Sequence, residues 1–295
     1  MAVALIILAG CGGSTPLIGV NAASIPAAAK DAWAGDLLYV ATGGDVYVLS
    51  YPSGKVVGRL GVQYAVSLCS DKRGNVFVVQ GYGVTEYSHR GKLVRTLQSS
   101  DVATSCSLDP TTGNLAVPYV GSGGQYVVIY PGARGPGQTV YGIPFPVPGL
   151  CGYDIHGNLF VDGSLSVLSE LPKGGTSFAN YDLGPKIDLY DSINWDGTYV
   201  TLSNPGTHSI YRVKISHRVK IVGATRVHGW VGGFSFQSGG TQTWLKDGQF
   251  IAQWHNGGQL AIWSYPAGGA PTRVLPPFVS GNYSVDGVVL SLGLH

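Results

Sequence analysis

One unit recurs along this 295-residue chain and constrains it more than any other feature: an apolar strand ending in Asp, a Gly-containing turn, and a second apolar strand. It reads VSLCSDKRGNVFVVQ at 66–80, SCSLDPTTGNLAVPY at 105–119, LCGYDIHGNLFVDG at 150–163, SINWDGTYVTLS at 192–203 and WLKDGQFIAQW at 244–254. The marker residues Asp71, Asp109, Asp154, Asp196 and Asp247 are spaced by 38, 45, 42 and 51 positions. Each pair is followed by a third and a fourth strand, as in GVTEYSHRGKLVRTL and QLAIWSYPAGGAPTRVL. Four strands repeated at about this period are the pattern of propeller blades. The Asp is expected to cap the turn with its side chain while Gly supplies a positive φ.

The first copy lacks its front. Residues 37–60 supply second, third and fourth strands, and the C-terminus ends in DGVVLSLGLH, an apolar strand with no partner of its own. Joining the two closes a ring and removes two free sheet edges. The expected architecture is an all-β, six-bladed β-propeller of four-stranded antiparallel blades. The blades are 37–60 plus 287–294, 62–98, 101–142, 147–184, 189–224 and 228–276. NYSVDGVVLSL also reads as a hairpin, which leaves seven blades as the alternative.

Composition agrees with strands and tight turns. Charged residues are 12% of the chain against a usual quarter, whereas Gly numbers 45 and Tyr 17. The net charge of +2 is spread, and even Arg212, Lys214, His217, Arg218 and Lys220 alternate like a solvated strand face. Nucleic acid as a partner is therefore not expected, and a monomer is.

Residues 1–10, MAVALIILAG, precede Cys11. A short apolar run ending in small residues is an export signal, too short to cross a bilayer. Leu8–Cys11 resembles the bacterial lipobox, although no Lys or Arg precedes the run. That resemblance implies cleavage before Cys11, lipidation of its thiol, and membrane attachment in the extracytoplasmic cell envelope. Residues 11–34, rich in Gly, Ala, Ser and Pro, suit a tether, and 35–295 form a single propeller domain.

The GNLFVDG unit, with its preceding strand and Asp and aromatic-Pro-Gly stretches such as WSYPAGG, resembles NHL-type and streptogramin-lyase-like propeller repeats over residues 36–294. The resemblance specifies architecture. For function it implies little, because such propellers include enzymes, binding modules and scaffolds.

Cys106 and Cys151 each stand three residues before a turn Asp, on equivalent inner strands of neighbouring blades, and a disulfide between them is expected as one possibility in an oxidising compartment. Cys69 stands two before Asp71, which by alternation faces the other way. The alternative is three small apolar side chains in the core. Neither CxxC nor paired His spacing points to zinc.

Propeller ligands sit over the channel on loops joining the outer strand of one blade to the inner strand of the next, and on loops between second and third strands. That face collects Tyr64, Tyr82, Tyr119, Phe145, Tyr190, His208, His228, Trp230, His255 and Tyr283, side chains suited to stacking on a small molecule, a glycan or a protein ligand. The two Glu, Glu86 and Glu170, are expected on third strands away from the axis. Asn194, Asp191 and Asp286 reach toward the mouth without forming a set, and no G-x-S-x-G turn occurs; Ser67 and Ser235 read as strand residues. The favoured reading is an exported, lipid-anchored binding or scaffold module without a cofactor. The alternative is a metal-dependent hydrolase or lyase, lactonase-like or streptogramin-lyase-like, with Ca²⁺ or Mg²⁺ in the axial channel. His228 and His255 would then be candidates for its neighbourhood.

Overall fold

The computed structural model describes residues 33, 35–144, 149–164, 166–184, 187, 192–231, 243–255, 258–279 and 284–293. The expected leader, tether and Cys11 fall outside these residues. Six antiparallel sheets account for the described strands, as the repeat predicts. The first blade is β25 (Gly287–Ser291), β1 (Leu37–Thr42), β2 (Asp45–Ser50) and β3 (Val56–Leu60); the second is β4 (Ala65–Ser70), β5 (Val76–Gln80), β6 (Gly83–Tyr87) and β7 (Leu93–Gln98). In the third, β8 (Val102–Ala103) and β9 (Ser107–Leu108) share the inner position beside β10 (Leu115–Gly121), β11 (Gly124–Tyr130) and β12 (Gln138–Val140). The fourth comprises β13 (Cys151–Tyr153), β14 (Leu159–Ser164), β15 (Val167–Leu171) and β16 (Ala179–Asp182). The fifth holds β17 (Ser192–Trp195), β18 (Val200–Asn204), β19 (Ser209–Ile215) and β20 (Val219–Arg226), and the sixth β21 (Trp244–Lys246), β22 (Gln249–Gln253), β23 (Leu260–Ser264) and β24 (Arg273–Val274).

Inner strands of consecutive blades touch all the way round: β25 with β4, β4 with β9, β9 with β13, β13 with β17, β17 with β21, and β21 with β25. Hydrophobicity follows this radial order. β1, LLYVAT, is buried throughout, whereas the outer β7, LVRTLQ, alternates between exposed and half-buried residues. Six hydrophobic clusters fill the seams. One joins Leu37, Tyr39 and Val48 to Leu68, Val76 and Val78, and another joins Ile210 to Trp230, Phe250 and Trp263. Burying such side chains supplies about 1.5–3 kcal/mol each.

The marker turns work as their residue types require. Asp71 Oδ1 accepts the backbone N–H of Arg73 (2.9 Å) and Asn75 (2.8 Å), and its Oδ2 accepts Asn75 Nδ2 (2.9 Å). Asp154 repeats this with His156 and Asn158, Asp109 caps Thr111 and Thr112, and Asp196 caps Thr198 and Tyr199. Gly74 at φ +79° follows the cap, where a Cβ would lie 2.4 Å from Leu292 O. Asp247 departs from the expectation. It takes φ +52° itself, with Gly248 at +74°, and Lys246 pairs directly with Gln249. This two-residue hairpin, with both central residues at positive φ, uses Asp for its backbone tolerance.

Ring closure is as expected. β25 pairs antiparallel with β1 from Leu37↔Ser291 to Ala41↔Gly287. Where other blades have a turn between inner and second strands, the first blade brings two distant chain segments together, and Asp36 Oδ1 accepts Gly293 N at 2.9 Å. His89 bridges the same two segments, its Nε2 donating to Gly35 O at 3.0 Å and its Nδ1 lying 2.6 Å from Ser291 Oγ.

The cysteines correct one expectation. Cys69 and Cys106 form the disulfide, with Cα atoms 5.8 Å apart, and Cys151 is a buried free thiol rather than the partner of Cys106. Counting alternation back from the turn fails at Cys106, which lies in the break between β8 and β9, where parity is not conserved. Non-reducing peptide mapping is expected to recover linked peptides of Cys69 and Cys106; a Cys106–Cys151 link would refute this pairing. Removing residues 287–295 strips β1 of its partner and takes the buried Val288, Val289 and Leu290 out of the ring. The expected loss exceeds about 5 kcal/mol, read as a collapse of the thermal unfolding midpoint. A truncated protein melting with the parent would overturn the closure.

Candidate functional site

A cavity of about 1390 Å³ follows the inner strands, opens among the Asp turns and extends outward between the second and third blades. Its wall includes Leu68, Ser70, Ser107, Gly152, Ile193, Thr243 and Leu290, and its rim includes Asp71, Asp109, Asp154, Asp196 and Asp247. The polar members are largely engaged by the fold. Ser70 Oγ donates to Leu290 O (2.9 Å), Ser107 Oγ accepts Tyr153 N (3.1 Å), and Thr243 Oγ1 meets Ser192 Oγ (2.5 Å). Four of the five rim carboxylates hold their own turns, and Asp196 Oδ2 also accepts the Tyr265 hydroxyl at 2.7 Å. For Asp109 these hydrogen bonds outweigh burial and hold the carboxyl below its usual range. Asn194 donates to Ser192 Oγ at 3.1 Å. Glu86 and Glu170 lie on the third strands β6 and β15, as expected, but Glu86 also reaches the flank of the cavity between the second and third blades, paired with Arg95 at 2.6 Å. Burial pushes both Glu carboxyls up. Among the described residues, no three His, Cys, Asp or Glu side chains converge as a metal site.

The opposite face carries the aromatic residues singled out from sequence. Tyr64 and Tyr82 are displayed there, 68% and 63% exposed, and His208, His228 and His255 are exposed as well. The backbone brings His255 to the His228 loop, His255 N donating to Gly229 O at 3.2 Å. Two residues do not belong to the surface. Tyr119 is fully buried because β10 continues past it to Gly121, so the residue expected on a loop lies within a strand; its hydroxyl meets Tyr130 OH at 2.9 Å. Trp230 is fully buried because it forms a β-bridge with Trp254 and packs edge-on against Phe250 at 5.3 Å. Phe145, Tyr190, Tyr283 and Asp191 lie outside the described residues.

Three residues that sequence reading passed over extend this face. Tyr141 is 65% exposed, its ring 5.6 Å from that of Tyr126, and the Tyr126 hydroxyl donates to Asp101 Oδ2 at 2.5 Å. Burial and the Asp101 bond push the Tyr126 phenol up to about 12. Nothing in the repeat marks these positions, because Asp101 and Tyr141 lie on loops that differ between blades and Tyr126 lies within β11.

Asp286, at the inner end of the same face, is 8% exposed. Its Oδ2 accepts Gly43 N at 2.6 Å and its Oδ1 accepts Ser284 Oγ at 3.0 Å, yet burial pushes the carboxyl up to about 6. An unfolded Asp titrates near 4, so ionised Asp286 costs the fold about 2–3 kcal/mol above pH 6, and that cost vanishes as the pH falls from about 6 to about 4. Asp286→Asn should therefore show a stability gain over the parent that grows as the pH rises through this window, measured by urea denaturation at pH 4 to 8. A constant difference across the range would contradict the assignment.

No protein-family model and no curated protein matches the chain. Solved structures do. A protein of unknown function from Bacteroides caccae superposes with TM-score 0.65 at 13% identity, covering 87% of this chain and 99% of its own. A chain of a nidogen/laminin complex gives TM-score 0.65 at 12% identity, covering 88% and 100%. A streptogramin B lyase gives 0.51 at 12% identity, covering 81% and 74%. At such identities the likeness is one of fold, and with the six sheets it establishes this chain as a six-bladed β-propeller.

Proposed function

We propose that this protein is an exported, lipid-anchored propeller that binds a ligand or partner in the cell envelope through the face opposite its Asp turns. The observation that carries the binding part is the contrast between the two faces. Hydroxyls and carboxylates at the cavity are engaged in caps and inter-blade bonds, whereas Tyr64, Tyr82 and Tyr141 are held out in water. Large aromatic side chains kept exposed in this way are the groups that contribute most to recognition. His208, His228 and His255 flank them as further contacts on that face.

Two features support export. The apolar run ending at Cys11 resembles a lipobox, and the Cys69–Cys106 disulfide belongs to an oxidising compartment. The hydrolase or lyase alternative needs acid and base groups free to meet a substrate, and at the cavity the carboxylates are largely engaged by their own turns. Cell fractionation tests the anchor. Cys11→Ala is expected to move the protein from the membrane fraction to the soluble extracytoplasmic fraction, and continued membrane attachment of that variant would refute it.

A further inference from the structure

We propose that the seam of the second and third blades, on the aromatic face, is a platform for a neutral saccharide, built by Tyr82, Asp101, Tyr126 and Tyr141. The inference rests on the proposal that this face binds ligands, and it names the chemistry of one.

Asp101, Tyr126 and Tyr141 are joined through their side chains, and the backbone of Tyr82 is tied to the same segment. Tyr82 O accepts Ser99 N at 2.7 Å, and Ser99 Oγ accepts Asp101 N at 3.1 Å. Asp101 Oδ2 then accepts the Tyr126 hydroxyl at 2.5 Å. The Tyr126 ring lies between two others, stacked on buried Tyr119 (5.6 Å, 21°) and tilted against exposed Tyr141 (5.6 Å, 48°). A ladder of rings therefore runs from the core to the surface and braces Tyr141 at its outer end. Gly121 makes the arrangement possible, since a Cβ there would lie 2.4 Å from Asp101 Oδ2.

What this assembly displays decides the ligand. Tyr82 and Tyr141 are 63% and 65% exposed, so ring area stays in water unless something flat covers it. Asp101 is half-buried, and its Oδ1 has no hydrogen-bond partner among the described residues. Ring faces beside a carboxylate oxygen with unused acceptor capacity match a pyranose, which offers a C–H face for stacking and hydroxyls for donation. A negatively charged ligand would meet the Asp101 carboxylate, so the saccharide is neutral.

Isothermal titration of the full chain in detergent, with cellohexaose, mannohexaose, chitohexaose and polyanionic heparin, tests this. Expected is saturable binding of at least one neutral hexasaccharide and none of heparin. Tyr82→Ala or Tyr141→Ala should weaken it about 3- to 10-fold each without moving the thermal midpoint, and Asp101→Asn should weaken it too. Binding of none of the neutral sugars overturns the inference, as does preference for heparin. Neutral-sugar binding that falls in Tyr64→Ala but not in Tyr141→Ala overturns the platform while leaving the ligand-binding face standing. Binding unchanged in all three tyrosine variants overturns both.

Discussion

The pairing of β25 with β1 is the constraint on which the rest of the ring depends. Three strands of the first blade come from the start of the described chain and the innermost comes from its end. Without that fourth strand the edge from Leu37 to Ala41 would face the channel unpaired, and the neighbouring β4 would lose the surface it packs on. Hydrophobic burial fills each seam, but it does not by itself bring residues about 250 positions apart into register. Backbone pairing does so, assisted by Asp36 and His89, which take the place of the turn that the other blades possess.

Around the channel each seam is then pinned in its own way. The first and second blades share the Ser70–Leu290 bond, the second and third the disulfide, and the third and fourth the Ser107–Tyr153 bond. The fifth and sixth share Ser192–Thr243, and in the sixth and first, Gln253 Oε1 accepts Val285 N. Between the fourth and fifth, Gly152 lets the strands close up, since a Cβ would lie 2.6 Å from Ile193 O. A hydrogen bond of this kind contributes about 1 kcal/mol net, less than one buried Leu or Val side chain. The hydrogen-bonded pins therefore set position more than they supply stability, whereas the disulfide adds about 2–4 kcal/mol at its seam.

This division explains what could be read from the sequence. Blade number, blade limits and the closing strand follow from the Asp–Gly turn and from runs such as LLYVAT, because strand burial and turn chemistry are local properties of the chain. The role of Asp was correct where the turn has three or more residues and failed at Asp247, where the loop shortens to two. Alternation points to Cys106 and Cys151 as a possible pair because it assumes an unbroken strand, whereas Cys106 sits in a break and bonds Cys69. Tyr119 and Trp230 were placed on the surface because strand ends are blurred in sequence by one or two residues, enough to turn a loop residue into core. Tyr126, Tyr141 and Asp101 lie on non-repeated loops and strand ends, and only three-dimensional proximity reveals them as one group.

The geometry of closure also bears on how the protein would be presented. β1 runs from Leu37, beside Gly293, toward the turn at Gly43, which lies near Asp286 and Tyr64. The described chain thus starts on the face that carries the Asp turns and the open cavity. The anchor proposed at Cys11 would join the chain upstream of that point. Closure therefore fixes at which end of the ring the described chain enters, and the exposed Tyr64 and Tyr82 stand at the other end.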